Sequence, residues 1–313
     1  MPISKHFIQM LTNEQKEKLV NNIFNEYRFK GFPFLKYSND ILISDYENLK
    51  KSNVKYEKEI LRNYNSSGYK IRDHFISEQY YLLKQAFQDD KKLIKVIRNR
   101  LGIDYHEEFN INDKMIIKTF ELLYPEYRFS KYQAAIAKWI NKEFNQFESV
   151  YDYSAGWGDR MLAASIYNKR YIGVDTNSNL IIELNSLYQW IKTINPFFNA
   201  QLFNKDAAKF EINKIEFAYS CPPYGIQEKY NNFNYEKDKT WLDEYMRPVI
   251  KKCFENLIEN GKFVCHIPIR FNSIISKECS IFNKITKIQV SNKYSPFNSE
   301  NERINELIFI CEK

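Results

Sequence analysis

Residues 151–160 read YDYSAGWGDR. A β-rich run ends here, two glycines follow with one residue between them, and the helix-forming run MLAASIYN comes next. Strand, glycine turn and helix together make the unit from which parallel sheets with crossover helices are built. Gly156 and Gly158 let backbone approach a ligand closely and supply free N–H groups at a helix start. A lone G-x-G also serves as an ordinary tight turn, so its meaning depends on what surrounds it. Glycine is scarce, with eight in 313 residues against an average of about 7%. Each one retained has a backbone task.

Working outward, SVYDYS (149–154), KRYIGVDTN (169–177), AQLFNKDA (200–207), KIEFAYSCPPYG (214–225) and KFVCHIP (262–268) read as strands. Between them lie the helical runs AGWGDRMLAASIYN (155–168), SNLIIELNSLYQWIKT (178–193) and TWLDEYMRPVIKKCFENLIEN (240–260), the last ending near Gly261. SKYQAAIAKWINKEF (130–144), with Ser130 as its cap, precedes the first strand. This alternation predicts an α/β fold with a doubly wound, mostly parallel sheet. ITKIQVSNKY (285–294) and ELIFICE (306–312) lack a helix between them and predict an antiparallel C-terminal hairpin at one sheet edge. The organisation expected is a mainly helical region over 1–127 and the α/β domain over 128–313. In the first region, 12–27 and 77–87 are amphipathic, with Thr12 or Asn13 as a cap. Asp89 and Asp90 stand before the basic run KKLIKVIRNR (91–100), where a helix dipole favours acids.

A net charge of +7 is compatible with a polyanionic partner and equally with a solvated basic surface. The five cysteines, Cys221, Cys253, Cys265, Cys279 and Cys311, form no CxxC pair, so no metal site is expected and reduced thiols are. No apolar leader and no run of about 18 apolar residues occurs, which predicts a cytoplasmic protein without a membrane span.

Two acids sharpen the glycine turn. Asp175 ends the second strand about twenty residues on, where a carboxylate grips a ribose diol. Asp206 follows the third strand, where it could meet a base edge. Strand, glycine turn, acid and acid in this order specify an adenosine-bearing cofactor at the carboxyl edge of the sheet. Met161 stands where a third glycine would complete G-x-G-x-x-G, which counts against a nicotinamide dinucleotide.

The stretch after the fourth strand, Cys221-Pro222-Pro223-Tyr224, raises a different question, because proline cannot sit inside a central strand. Here the chain resembles the S-adenosylmethionine-dependent DNA amino-methyltransferases, whose hallmark at this place is Asp, Asn or Ser, then Pro-Pro, then an aromatic residue. DYSAGWGDR is similar to that family's cofactor loop, GVDTN to its ribose-binding segment, KDAAKF to its adenine-side segment, and RFSKYQAAIAKWI to the segment capping the methionine end. The resemblance covers about residues 128–313 and implies a seven-stranded methyltransferase sheet. It implies cofactor contacts from Lys131, Tyr132, Asp152, Ser154, Ala155, Gly156, Gly158, Asp175, Thr176, Asp206 and Ala207. It also implies catalysis by Cys221, Pro222, Pro223 and Tyr224 on a base flipped from double-stranded DNA or presented by a single strand, with no metal. The oligomeric state stays open, as does a setting in restriction–modification, in a virus or in stand-alone regulation.

An exocyclic base amine is a poor nucleophile, since its lone pair is delocalised into the ring. A fixed carbonyl, that of Pro222, can accept its hydrogen bond and free the lone pair, while Tyr224 offers a stacking face. Cys221 departs from the family, because a thiol is a weak acceptor. It is nearly isosteric with serine. The enzyme can then work through Pro222, be slow or silent, or use Cys221 as a thiolate, as C5-cytosine enzymes do with the order reversed. Adenine N6 and cytosine N4 both remain open as targets. The alternatives are an amine of RNA or protein, or a silent nucleic-acid-binding protein. Tyr230, Phe233 and Tyr235 could close over substrate. His266 reads as structural. The runs 28–37 and 91–100 could meet phosphates, which gives residues 1–127 a target-recognition role.

Overall fold

The computed structural model describes residues 5–57, 60–63, 66–103, 111–127, 132–223, 238–292 and 306–313. In chain order the elements are α1 (Lys5–Met10), α2 (Asn13–Lys30), α3 (Asn39–Lys51), β1 (Lys55–Glu57), β2 (Ile60–Asn63), α4 (Tyr69–Phe75), α5 (Tyr81–Gln88), α6 (Asp90–Arg100), α7 (Asp113–Leu123), α8 (Ala134–Glu143), β3 (Ser149–Asp152), α9 (Asp159–Ile166), β4 (Arg170–Asp175), α10 (Ser178–Ile194), β5 (Ala200–Asn204), β6 (Ile215–Ser220), α11 (Asp238–Trp241), α12 (Arg247–Asn256), β7 (Leu257–Pro268), α13 (Asn272–Glu278), β8 (Lys284–Asn292) and β9 (Glu306–Glu312). Among the described residues no helix is long and apolar enough to cross a membrane.

Two compact units form. The smaller joins residues 1–37 to 77–130; the larger joins 38–76 to 131–313. A single boundary near residue 127 is therefore corrected. Residues 38–76 belong with the sheet, because β2 pairs in parallel with β8 and the Tyr46 hydroxyl bonds Ser165 Oγ at 2.8 Å.

The smaller unit is helical, as its periodicity predicts. Thr12 caps α2 through a reciprocal pair: Gln15 N donates to Thr12 Oγ1 at 3.2 Å and Thr12 N to Gln15 Oε1 at 2.8 Å. The α2 stripe Val20, Ile23, Tyr27 meets Leu83, Phe87, Val96, Ile97 and Phe120 in one core. Asp89 caps α6 by accepting from Lys92 N at 3.1 Å. The run 28–37 is committed largely to structure: Arg28 pairs with Asp90 at 2.7 Å, and Phe32 packs edge-on to Phe87.

The larger unit holds a nine-stranded sheet in the order β1-β2-β8-β9-β7-β6-β3-β4-β5. The seven strands expected from sequence are all present, and β1 and β2 extend them. Pairs β3–β4, β3–β6, β4–β5 and β6–β7 are parallel, while β9 runs antiparallel to both β7 and β8. The hairpin is thus real but does not form an edge: β9 is inserted between β7 and β8, and β2 covers β8. Helix α12 stops at Asn256 rather than near Gly261, because Leu257 already pairs with Ile215 in the sheet. A π-turn over Leu242–Met246 interrupts the run before it.

Side chains alternate across the sheet. Tyr151 and Tyr153 join Val249, Ile250, Phe263 and Phe309 in a core cluster on one side. Asp152 turns the other way, to Arg160 of α9. Both faces are buried, as a parallel sheet requires.

Candidate functional site

Strand β3 neighbours β4 on one side and β6 on the other, so the chain order reverses at β3. Such a switch point leaves a crevice beyond the carboxyl ends of the strands, where ligands of open α/β sheets bind. The glycine turn, Asp175 and Cys221-Pro222-Pro223 all follow strands that end there.

The turn is held from beneath. Asp152 is fully buried. Its Oδ1 accepts from Ser220 Oγ at 2.8 Å and Ser154 N at 3.2 Å, and its Oδ2 from Arg160 Nε at 2.7 Å and Tyr171 Oη at 2.6 Å. Four donors saturate the carboxylate, so Asp152 positions the loop instead of touching a cofactor, which corrects its expected role. Arg160 also donates to Ser154 O. Ser220 Oγ lies 3.3 Å from the same carbonyl. Ala155 N donates to Val174 O at 2.9 Å, and the side chains of Ala155 and Ala207 are buried, so neither methyl faces a ligand.

Gly156 and Gly158 both adopt positive φ, +53° and +84°. A Cβ on Gly158, which caps α9, would stand 2.7 Å from Leu187 Cδ2 of α10. The Gly156 N–H, expected to be free, instead donates to Asp175 Oδ2 at 3.1 Å; Asn177 N donates to Asp175 Oδ1 at 3.0 Å. Burial raises the Asp175 pKa, and the two backbone N–H groups oppose that rise. The carboxylate is half-buried, with one lone pair on each oxygen still available for a diol. Thr176 beside it is half-buried too. Asp206 Oδ1 accepts from Ala208 N at 2.9 Å, which shapes the turn after β5.

At the corner after β6, Cys221 and Pro223 are half-buried and Pro222 is buried. None of the five cysteines is in a disulfide. Lys131, Tyr224, Tyr230, Phe233 and Tyr235 lie outside the described residues, as does the Ser130 cap. Tyr132, half-buried, hydrogen-bonds Tyr219 Oη and lies 3.1 Å from His266 Nδ1; the Arg160 guanidinium sits 5.1 Å from its ring centroid.

Sequence reasoning missed Arg72. This fully buried guanidinium of α4 reaches both oxygens of Asp159 at 3.3 Å and Tyr132 O at 3.1 Å. Asp159 starts α9 directly after the glycines. Burial pushes its pKa up to about 6, against the pull of Arg72. Tyr245 was missed as well: from the π-turn it donates to Tyr153 O at 2.9 Å. Only an i+5 slip in the helix places it there, and no local residue announces that.

No known protein family's model matches the chain, and no curated protein matches it either. Solved structures do. A SAM-dependent O-methyltransferase from Thermotoga maritima aligns at 13% identity and a TM-score of 0.42, covering 61% of this chain and 69% of its own. TrmN from Thermus thermophilus aligns at 11% identity and a TM-score of 0.43, over 58% of this chain and 49% of its own. A methyltransferase from Pyrococcus furiosus aligns at 14% identity and a TM-score of 0.40, over 57% and 82%. At these identities and scores the likeness carries nothing about substrate.

Proposed function

We propose that this chain transfers a methyl group from S-adenosylmethionine to the exocyclic amine of a DNA base, adenine N6 or cytosine N4. One observation carries the reading. The Ser220 hydroxyl, bonded to Asp152 and close to Ser154 O, ties the start of the Cys221-Pro222-Pro223 corner to the base of the glycine turn. A cofactor pocket and a base-amine pocket must share a wall if a methyl is to pass between them.

The residues present fit the cofactor. Asp175, aimed by two backbone N–H groups, would take the ribose diol. The left-handed turn at Gly156 and Gly158 would pass beneath the amino-acid end, and Asp206 would face the adenine. When bound, the cofactor supplies an electrophilic methyl on a sulfonium. The chain's own task is to orient the amine. The Pro222 carbonyl would accept one amine hydrogen and restore the nitrogen lone pair, with Tyr224 stacking on the extracted base. Cys221 is half-buried, and the cation near it, Arg160, is already committed to Asp152 and Ser154 O, which favours the serine-like role over a thiolate. The smaller unit would supply DNA contacts through the exposed lysines of α6, Lys91 and Lys95.

The test is to incubate duplex and single-stranded DNA with the protein and cofactor, digest to nucleosides and weigh them. A gain of one methyl on deoxyadenosine or deoxycytidine supports the reading. Cofactor binding without transfer to DNA, RNA or protein would leave a silent binding protein, and methyl on RNA or protein alone would move the substrate.

A further inference from the structure

His266 lies near the end of β7 with almost no exposure, yet it sits in a row of polar groups. Tyr219 Oη, from β6, hydrogen-bonds Tyr132 Oη. Tyr132 Oη lies 3.1 Å from His266 Nδ1. His266 Nε2 makes no hydrogen bond among the described residues, but Glu306 Oε2 stands 3.0 Å from it, and the Glu306 side chain is 25% exposed at the start of β9. Phenol, phenol, imidazole and carboxylate thus follow one another across the interior strands β6, β7 and β9, from buried groups to a partly exposed one.

The inner end stands at the reacting region. Tyr132 is the half-buried member, with Arg160 of α9 over its ring. Tyr219 is two residues before Cys221. Cys221 is close enough to push up the pKa of both phenols, behind burial, the largest cause for each. A buried nitrogen left without a hydrogen bond is costly, and a carboxylate 3.0 Å from it needs only a small turn of the ring to take its proton. A Glu–His pair behind a hydroxyl is a general way to move a proton.

We propose that Tyr132, His266 and Glu306 form the route by which the proton of the methylated amine leaves. This rests on the methyl-transfer reading above. The amine nitrogen bonds the methyl carbon as the carbon–sulfur bond breaks and its pair stays on sulfur. The resulting ammonium gives one proton to Tyr132 Oη while the Tyr132 proton passes to His266 Nδ1. The proton on His266 Nε2 goes to Glu306, which releases it to water. One proton enters and one leaves. Tyr219 holds the Tyr132 oxygen in line. Tyr132 touches the amine in this scheme and is catalytic; His266 and Glu306 are positioning and relay residues. The charged groups facing the chain are Arg160 and Glu306, with Cys221 beside it.

The experiment has two arms. Imidazole nitrogen NMR on the full-length protein reads the chain without any substrate. The expected result is a neutral His266 with its proton on Nε2, whose signal shifts in Glu306→Gln and again in Tyr132→Phe. A proton on Nδ1, or no shift in either variant, overturns the proposal even if methyl transfer occurs. The second arm measures single-turnover methyl transfer against pH for wild type, Glu306→Gln and His266→Gln. Glu306→Gln should lower the rate about tenfold at neutral pH with cofactor KM unchanged, and regain it as rising pH lets hydroxide take the proton. An unchanged rate, or a loss that tracks KM or thermal stability and ignores pH, overturns the relay. Absence of transfer by the wild type alongside the expected NMR result sinks the methyl-transfer reading and the relay's use, while the Tyr219–Tyr132–His266 hydrogen bonds stand.

Discussion

Ser220 Oγ donates to Asp152 Oδ1 at 2.8 Å, joining the last residue of β6 to the last residue of β3. Each belongs to a strand whose following loop carries one half of the proposed chemistry. Ser220→Ala removes one of four donors to a buried carboxylate. Stability should fall by roughly 1–2 kcal/mol in urea unfolding. Asp152→Ala strands the buried Arg160 and should cost more, roughly 3–5 kcal/mol. Equal losses would show that Asp152 does not organise the loop.

Asp175→Ala should weaken cofactor binding roughly 10- to 100-fold by calorimetry, the worth of hydrogen bonds to a charged group. Asp206→Ala should weaken it less, since Asp206 would meet one adenine edge group where Asp175 would take both hydroxyls of a diol. Affinity unchanged in the first variant would remove the ribose role.

Cys221→Ser should keep or raise turnover, because serine is the nearest acceptor of like size. Complete loss of transfer with folding intact would establish a thiolate nucleophile instead. Gly158→Ala, forced to φ +84° and against Leu187, should cost roughly 1–3 kcal/mol from overpacking alone.

Asp159 gives a pH prediction. Its carboxyl titrates at about 6 in the fold and at about 3.9 when unfolded. The folded state therefore binds more protons between these values. The stability this group contributes is full below about pH 4 and is lost as pH rises through about 6. Stability of wild type minus that of Asp159→Asn should fall by about 2 kcal/mol from pH 4 to pH 7. A flat difference would mean the Arg72 pairing holds the carboxyl ionised throughout.

Charge reversal at Lys91 and Lys95 tests the smaller unit. If both contact phosphates, DNA affinity should fall and the slope of log affinity on log salt should shrink by about 2. An unchanged slope would assign DNA contacts elsewhere.

Much of this was legible because parallel strands advertise themselves. The runs 149–154, 169–177, 200–207 and 214–225 carry dense Val, Ile, Tyr and Phe, and Thr12 and Asp89 carry explicit caps. Residues 55–63 could not be read that way. KYEKEILRN is short and charged, and its partner β8 lies more than two hundred residues on, so no local pattern records the pairing. Arg72 was hidden for the same reason: a lone arginine in a polar stretch looks solvated until its distant Asp159 is placed. The site residues split along one line. Gly158 falls in the turn between β3 and α9 and Asp175 at the end of β4, while their cofactor contacts belong to the proposal. Asp152 was misassigned because spacing cannot distinguish a carboxylate facing a ligand from one turned under the loop.

The insertion of β9 between β7 and β8 has a cost in time. Synthesis delivers β7 and β8 first, yet they cannot become neighbours; a slot must stay open between them until the later strand threads in. β1 and β2, made long before, can dock only on β8, so the earliest and latest parts of the chain wait on one another. Such distant pairings close slowly. While they do, the bared flanks of β7 and β8 invite a second chain's β9. Exchange of that strand between two molecules is the misfolded form this architecture most readily yields.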